Sequence, residues 1–384
     1  MKSTRFQGER VSKIIGIDAS RCRSGGGVAH LLGIITGGDP LTVGVSTVHL
    51  WTYQALMNQI PDYPWLIKHT PSIVEKSIFH QLFWQYRTLP KLVKKYGCDL
   101  LFNTDAGTIC PFRPNVTISQ DMLSYEPGEM WRFGFSKAII RLILLRFIQT
   151  RSLRRANGAI FLTRYAEKVI QKHTGSIRNR VIIPHGVGIL FQSSERLECD
   201  VKNREIRCLY VSNVSMYKHQ WHVVRAIGLL RKQGYNLSLL LVGGGAGRAQ
   251  KKLERELKQT DPHGEFVQQM GFVRHEQLAS LLSEANVFIF ASSCENMPNT
   301  LIEAMASGLP IACSNRGPMP EVLADGGVYF DPEEPQSLVE AMKQLIHDKS
   351  LRHSVAMKAQ QLSEQYSWER CAHETWSYLQ SVDA

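Results

Sequence analysis

Residues 287–310, VFIFASSCENMPNTLIEAMASGLP, contain the strand, loop and helix around which the rest of the chain is organised. Residues 287–291 form an apolar run of strand length, which is the pattern of a buried parallel strand. The polar loop that follows leads into a helix, which we predict to have Asn299 or Thr300 as its N-cap and to stop at Gly308. Because free backbone amides and the positive end of the helix dipole meet at a helix N-terminus, such a loop can bind an anion.

Two carboxylates frame this loop, Glu295 before the helix and Glu303 within it, and seven residues separate them. Taken singly, each is typical of a solvated loop residue or of a side chain that complements a helix dipole. The pair resembles the Glu-x7-Glu signature of the retaining glycosyltransferases of family 4 (glycosyl transferases group 1), which have the GT-B fold. The resemblance implies that Glu295 contacts sugar hydroxyls of a nucleotide-sugar donor and that Glu303 accepts hydrogen bonds from the nucleotide ribose. It also implies that the intervening residues bind the donor, namely Asn296, Met297, Pro298, Asn299 and Thr300.

Length, composition and charge favour a two-domain globular protein with an anionic partner. A chain of 384 residues is too long for one ordinary core and fits two domains of about 150–200 residues. Its net charge of +11 suits a nucleotide, a nucleic acid or a membrane surface. Because the basic residues are dispersed and no recognition motif occurs, we expect no nucleic-acid partner. The first thirteen residues lack an apolar stretch, so we expect no signal peptide and a cytoplasmic location.

Strand-like and helix-like segments alternate throughout, which predicts an α/β protein with two doubly wound, Rossmann-like domains facing across a deep cleft. We place an acceptor-binding domain at 1–187 and a donor-binding domain at 205–366, joined by a linker at 188–204. As in GT-B folds, the final helix at 367–384 is expected to pack back on the first domain. Within that first domain, the pattern of residues 81–96 predicts a helix.

Two segments of the first domain are candidates for the site. Glycines after the first strand would let the backbone approach a phosphate, although they are equally typical of a flexible loop, and His30 occupies the third glycine position of the dinucleotide fingerprint. The family has a Gly-rich loop here that closes over the donor diphosphate, which makes Gly26 and Gly27 candidates. Gln120 and Asp121 stand where many family members have His-Asp near the reacting sugar. Because Gln120 cannot titrate, we expect it to position groups rather than transfer protons.

The second domain has its own candidates, which depart in part from the family pattern. After its first strand the family has Gly-Arg-x5-Lys, whose two cations hold the donor diphosphate. This chain retains Lys218 but has Ser212 and Asn213 in place of Gly-Arg, so one bidentate contact is lost and Asn213 offers only neutral hydrogen bonds. The resemblance implies that two further turns lie against the nucleotide and its base, with the candidates Gly243, Gly244, Gly271, Phe272 and Val273.

Residues 131–155 combine apolar and basic side chains in a helical pattern. The apolar run at 138–148 has eleven residues and is too short to span a bilayer, which needs about 20. Two interpretations stay open. The segment is either a buried helix whose arginines reach out to solvent, or a peripheral helix that contacts anionic lipid. The basic residues that share one side at 100° per residue are Lys137, Arg141, Arg151 and Arg155.

The resemblance implies a retaining transfer of a hexose from GDP-mannose or a UDP-sugar to a growing glycan or lipid-linked acceptor, in the synthesis of cell-surface polysaccharide or lipopolysaccharide. We expect no metal, because no Asp-x-Asp motif occurs, and no cofactor besides the nucleotide-sugar co-substrate. Two alternatives remain, an inactive partner subunit that binds a nucleotide sugar without transferring it, and a GT-B nucleotide-sugar epimerase. The residues assigned to catalysis are Lys218, Glu295, Gln120 and Asp121.

Overall fold

The first of two parallel sheets has seven strands in the part of the chain that the computed structural model describes, residues 12–23, 25–134, 136–192 and 205–383. These strands are β1 (Lys13–Asp18), β2 (Val45–Trp51), β3 (Leu66–His69), β4 (Leu100–Asn103), β5 (Asn115–Ile118), β6 (Gly158–Phe161) and β7 (Arg180–Ile182). They pair in the order β3-β2-β1-β4-β5-β6-β7. The strand order therefore reverses direction between β1 and β4, which are neighbours in the sheet.

Helices connect the strands of this first sheet. They are α1 (Gly26–Thr36), α2 (Gln54–Met57), α3 (Ile78–Phe83), α4 (Leu89–Lys95), α5 (Lys137–Arg155) and α6 (Arg164–Thr174). The helix predicted at 81–96 is present, with a π-helical turn at Trp84–Thr88 as an interruption of the α-helical hydrogen bonding between α3 and α4. Pro90 explains the interruption, because a proline has no N–H to donate to the carbonyl of Tyr86.

The second sheet has six described strands, also all parallel. These are β8 (Ile206–Val211), β9 (Leu237–Val242), β10 (Val267–Met270), β11 (Val287–Phe290), β12 (Ile311–Ser314) and β13 (Val328–Phe330), in the order β10-β9-β8-β11-β12-β13. The helices are α7 (Gln220–Lys232), α8 (Gly247–Thr260), α9 (His275–Glu284), α10 (Asn299–Ala306), α11 (Met319–Leu323), α12 (Pro335–His347), α13 (Lys349–Ser363) and α14 (Trp368–Ser381). The predicted α/β class with two doubly wound units is confirmed.

We call β1–β7 with α1–α6 the first domain and β8–β13 with α7–α13 the second domain. Each sheet reverses its strand order once, between β1 and β4 in the first domain and between β8 and β11 in the second. In open parallel sheets, ligands bind beyond the carboxyl ends of the strands at this reversal. The loops that leave these four strands are therefore the places where a site is expected.

Helix α10 begins as predicted but is capped differently. Its N-cap is Pro298 rather than Asn299 or Thr300, and no side chain caps its first turn. Thr300 Oγ1 instead donates to the Val211 carbonyl at 3.2 Å, which ties α10 to the end of β8. Gly308 follows the helix with φ at +64°, a conformation that favours glycine, so the predicted helix end is confirmed.

The chain crosses between the sheets at two segments that lie side by side. Of the predicted linker at 188–204, residues 193–204 lie outside the described residues, and the domain boundaries stay a prediction. At the second crossing, the Val187 amide donates to the Tyr366 carbonyl at 3.0 Å. Helix α14 follows this crossing and packs on α1, where the Trp376 indole donates to the Ile34 carbonyl at 3.0 Å.

Candidate functional site

An ion pair lies at the strand-order reversal of the second domain. Lys218, in the turn between β8 and α7, donates from Nζ to Oε1 of Glu295 in the loop after β11. The two side chains are only 13% and 15% exposed. The ammonium nitrogen also lies 5.7 Å from the centroid of the Phe290 ring and 5.3 Å from that of Tyr217. Limited contact with water strengthens the attraction between the two charges, and the aromatic faces further stabilise the ammonium.

Glu303, on α10, is buried. Burial raises the pKa of its carboxyl to about 8, so the group is mostly protonated at neutral pH. Its Oε2 has no hydrogen-bond partner within the described residues. A buried carboxyl oxygen with no partner is able to accept a hydrogen bond from a ligand, and such a bond would favour the ionised form.

The N-termini of α1 and α10 approach each other across the two domains. A Cβ added to Gly26 would lie 3.3 Å from Asn299 Nδ2 and 3.4 Å from His185 Cε1. His185 Nδ1 and Asn299 Oδ1 lie 3.0 Å apart, so the ring donates to the amide oxygen. Because both helices direct the positive ends of their dipoles into this space, an anionic group would be stabilised between them.

Two buried histidines lie beside Gly26, and neither was predicted to be a site residue. The rings of His30 and His185 stack with their centroids 5.1 Å apart. Burial lowers the pKa of His185 to about 4, opposed by its bond to Asn299, and burial also lowers the pKa of His30 well below its usual value. Both rings are therefore neutral at physiological pH. The sequence signal for His185 was its position three residues after β7, shortly before the predicted linker between the domains.

Gln120 and Asp121 lie on the first-domain side, beyond the carboxyl end of β5. Gln120 Nε2 donates to the Thr104 carbonyl at 3.1 Å, and its buried Oε1 has no partner among the described residues. A Cβ added to Gly27 would lie 3.6 Å from that Oε1, so these two candidates are neighbours. Asp121 accepts a hydrogen bond from the Leu123 amide at 3.0 Å, and burial raises the pKa of its carboxyl.

The loop between Glu295 and α10 lies against the first domain. Asn296, Met297 and Pro298 are buried there. Thr163 Oγ1 of the first domain donates to the Asn296 carbonyl at 3.1 Å, while both atoms of the Asn296 amide group lack partners within the described chain. The loop is therefore fixed by a contact across the cleft as well as by its own strand.

The remaining candidates are more exposed. Asn213 is exposed at the end of β8, and Gly271 and Phe272 are exposed after β10, with Phe272 85% exposed and Val273 partly buried. Gly243 has φ at +127°, and a Cβ there would lie 2.3 Å from the Ser212 carbonyl oxygen, so only glycine fits. The next glycine, Gly244, has open space around it. Contacts of these residues with a nucleotide stay predictions.

A further contact holds the domains together at α6. Glu321, on α11 of the second domain, accepts hydrogen bonds from the backbone amides of Arg164 and Tyr165, each at 2.8 Å. These amides belong to the first turn of α6, where a carboxylate complements the helix dipole. The two domains are therefore in direct contact in this structure.

The comparison with known families identifies the second half of the chain. Residues 194–362 match the model of the family described as glycosyl transferases group 1. The resemblance predicted from Glu295 and Glu303 is thereby confirmed. Among curated proteins, the O-antigen chain mannosyltransferase B of Escherichia coli is 27% identical over 167 residues. That match covers 44% of this chain and 44% of the relative, so less than half of the relative's length is matched.

Solved structures confirm the fold over nearly the whole chain. Sucrose-phosphate synthase from Thermosynechococcus elongatus has a TM-score of 0.73 at 18% identity, over 95% of this chain and 97% of that protein. HepE from Anabaena, solved with UDP and glucose, has a TM-score of 0.71 at 20% identity, over 96% of this chain and 100% of that protein. At such identities the likeness shows the fold alone, and that fold is GT-B, as predicted.

Proposed function

We propose that this chain is a retaining glycosyltransferase that transfers a hexose from a nucleotide sugar to a glycan or lipid-linked acceptor. The observation that carries the proposal is the meeting of Gly26 on α1 with Asn299 on α10 at the strand-order reversals of both sheets. Two helix N-termini and the nearby Lys218 together form a site for a diphosphate. The match of residues 194–362 to the model of glycosyl transferases group 1 supports the same proposal.

Each residue of the second domain has a distinct part in this proposal. Glu303 Oε2, buried and unpartnered, accepts hydrogen bonds from the ribose hydroxyls, and binding shifts its carboxyl toward the ionised form. Glu295 accepts from hydroxyls of the transferred sugar. It also pairs with Lys218, to which we assign the binding of the diphosphate. Phe272 and its neighbours after β10 contact the base.

The chemical step that we propose uses no covalent intermediate on the protein. The bond between the anomeric carbon and the diphosphate oxygen breaks, which leaves an oxocarbenium-like sugar paired with the leaving nucleoside diphosphate. The acceptor hydroxyl attacks from the same face, and its proton passes to the departing phosphate oxygen. Lys218 and the amides at the two helix N-termini stabilise the charge that develops on the leaving group. Gln120 and Asp121 orient the acceptor side, and no metal takes part in this scheme.

The donor that we propose is GDP-mannose or a UDP-sugar. The relative from Escherichia coli is named a mannosyltransferase of the O-antigen chain, and HepE was solved with UDP and glucose. These names support a place in the synthesis of cell-surface polysaccharide or lipopolysaccharide. A lipid-linked acceptor in such a process is presented at a membrane surface.

The outer face of the first domain supports peripheral contact with an anionic membrane. Helix α5 is not the buried helix that was one interpretation of residues 131–155, because Ile140, Leu144 and Phe147 are exposed, Phe147 by 69%. The exposed basic residues on the same helix are Lys137, Arg141, Arg151, Arg154 and Arg155. Exposed apolar side chains among cations are the pattern of a helix that lies in a bilayer surface. Within the described residues, no helix is long and apolar enough to cross a membrane.

Helix α3 adds further exposed apolar side chains to the outer face formed by α5. Phe79 and Phe83 on α3 are 79% and 60% exposed. Tyr86, in the π-helical turn that follows, lines the same surface cavity as Arg151 of α5. We propose that α3 and α5 together rest on the membrane.

Thermal unfolding with a panel of GDP-, UDP-, ADP- and dTDP-sugars tests the proposal. A cognate donor stabilises the fold by about 2.7 kcal/mol at a hundred times its Kd, and we expect one nucleotide class to raise Tm. The same ligand should leave Tm of Glu303→Ala unchanged. A panel in which no nucleotide sugar shifts the wild-type protein would contradict the proposed site. Product analysis of the stabilising donor with acceptor glycans then decides whether the anomeric configuration is retained.

The second candidate function is an inactive partner subunit that binds the donor. The exposed Asn213 favours it, since this residue stands where the family has a diphosphate-binding arginine. Such a subunit would show the Tm shift and its loss in Glu303→Ala, but neither transfer nor hydrolysis of the donor. An epimerase, by contrast, would convert the donor without any acceptor.

A further inference from the structure

A bridge of hydrogen bonds runs from the first domain to the turn that contains Lys218. Ser293 Oγ donates to Oε1 of the buried Glu129 of the first domain at 2.8 Å. Ser293 Oγ also lies 2.9 Å from Nε2 of His219. Ser293 precedes Glu295 by two residues, and His219 directly follows Lys218. The bridge therefore reaches the backbone beside both members of the ion pair.

The directions of these hydrogen bonds follow from the available protons. A carboxylate only accepts, so the single hydroxyl proton of Ser293 goes to Glu129. The Tyr217 carbonyl, 3.2 Å from the same hydroxyl, is the more distant acceptor. The hydroxyl oxygen then accepts the proton of His219 Nε2. Burial lowers the pKa of His219 to about 3, so the ring is neutral and has one proton to donate.

The backbone at His219 is held in an unfavourable conformation. Its φ is +52° and its ψ is +29°, in the left-handed region that residues with a Cβ rarely adopt. His219 is the N-cap of α7, so its conformation sets how Lys218 is presented to the cleft. The hydrogen bond to Ser293 and ring contacts with Trp221 and His222 hold it in place. Such conformations persist only where the surroundings determine them.

A salt bridge with Arg132 holds Glu129, the residue at the first-domain end of this bridge of hydrogen bonds. Arg132 Nε donates to Glu129 Oε2 at 2.7 Å. The other two nitrogens of Arg132 contact both carboxylate oxygens of Glu333, in the second domain, at 3.2 and 2.5 Å. The paired arginine lowers the pKa of the Glu333 carboxyl. The bidentate pair of Arg132 with Glu333 has a fixed geometry, and Arg132 also holds Glu129. Glu129 therefore meets Ser293 only while the two domains are closed.

We infer that Glu129, Ser293 and His219 are positioning residues for the transfer step. They link closure of the two domains to the placement of Lys218 and Glu295. When the domains separate, Ser293 loses its acceptor on the first domain and the strained turn before α7 is free to relax. The Lys218 ammonium is therefore in position for the leaving diphosphate only when the domains are closed. Water is excluded from the site in that state. This inference rests on the proposed function, which assigns the ion pair its part in transfer.

Ser293→Thr and Ser293→Val form a matched pair of variants for the test. Their side chains have nearly the same shape, so steric costs are shared, and only threonine retains the hydroxyl. We expect kcat of Ser293→Val to be about tenfold below that of Ser293→Thr. A tenfold decrease corresponds to the loss of one hydrogen bond to a charged group. The KM for the donor should be similar in the two variants. Equal kcat values would overturn the inference.

Hydrogen exchange measures closure without any turnover. The amides of Arg164 and Tyr165 are bonded to Glu321 across the cleft, and they exchange faster when the domains separate. In the absence of nucleotide sugar, we expect faster exchange of these amides in Ser293→Val and Glu333→Gln than in Ser293→Thr. Identical exchange in all three would overturn the link to closure, whatever the activity. A wild-type protein that transfers no sugar would instead contradict the proposed function, while the exchange data still decide the bridge.

Discussion

The two walls of the cleft are built in different ways. On the second-domain wall, Glu295, Asn299 and Glu303 belong to one strand, its loop and the helix that follows. On the first-domain wall, Gly27, in the first turn of α1, and Gln120, in the loop after β5, are remote in the chain and meet only through the strand order of the sheet. A site on one continuous segment keeps its geometry through local structure. A wall made from separate segments depends on the whole fold.

The walls also differ in charge. The second-domain wall has a lysine and two carboxyl groups, one of them with its pKa raised by burial to about 8. The first-domain wall beside Gly26 has the neutral rings of His30 and His185. Charged groups that are preorganised in a site of low polarity have larger effects on a reaction than neutral ones. Substitutions on the second-domain wall are therefore expected to cost more.

The largest effect is expected at Lys218. Lys218→Ala removes the cation beside the proposed diphosphate, and we expect kcat to fall by roughly 10²–10³, as for the loss of one preorganised charge-stabilising group. The measurement is steady-state transfer with the cognate donor. Lys232→Ala, at the exposed end of α7, is the control and should retain wild-type kcat. An unchanged kcat in Lys218→Ala would falsify the diphosphate role.

Glu303→Gln should change stability in a pH-dependent way. The folded-state pKa of about 8 lies above the unfolded value of about 4.3, so between these values the folded protein binds more protons. Stability is then lost as pH rises toward 8, and glutamine, which resembles the protonated form, removes this loss. We expect Glu303→Gln to be more stable than wild type in urea at pH 8 and close to it near pH 4. Glu340→Gln, at an exposed carboxylate of α12, should show no such difference.

The same carboxyl should make donor binding depend on pH. Because ribose hydroxyls donate to the ionised form, wild-type affinity should rise as pH approaches 8, with release of a proton on binding. Calorimetry in buffers of different ionisation enthalpy measures that proton. Glu303→Gln should bind the donor about tenfold more weakly at pH 8. An affinity that falls with rising pH would contradict the acceptor role.

A smaller effect is expected on the first-domain wall, at Gly26. An alanine Cβ there would lie 3.3 Å from Asn299 and 3.4 Å from His185, so these neighbours must move by a few tenths of an ångström. We expect the Kd for the donor to rise about fivefold, or roughly 1 kcal/mol, in Gly26→Ala. Gly188→Ala is the control, because its Cβ would meet atoms at 3.7 Å, an ordinary contact. If Gly26→Ala cost as much as Lys218→Ala, the two walls would not differ as proposed.

Substitutions on the outer face of the first domain should leave transfer to a soluble acceptor unchanged. The double variant Leu144→Ser and Phe147→Ser removes exposed apolar surface from α5, and each change should weaken vesicle binding about tenfold. Sedimentation with vesicles that contain anionic lipid measures this loss. Ile189→Ser changes an equally exposed residue outside this face and should bind vesicles as wild type does. Vesicle binding that is unchanged in the double variant would exclude α5 as the contact.

Sequence reasoning was most accurate where structure is local. It located β11 and the loop after it from their composition, and the end of α10 from Gly308. It was wrong about the N-cap of α10, because Asn299 and Thr300 bond to His185 and to the Val211 carbonyl instead. Those partners are remote in sequence, and no pattern within the segment indicates them.

The sequence by itself determined the α/β class, the strand–loop–helix unit with Glu295 and Glu303, and the resemblance to glycosyl transferases group 1. Apolar periodicity, turn residues and spacing are properties of short segments, so they are visible without a structure. Only the tertiary structure decided that Lys218 pairs with Glu295, that burial raises the pKa of Glu303, and that Ser293 joins the domains. These properties depend on distance and on exclusion of water, which are set by the packing of residues far apart in the chain.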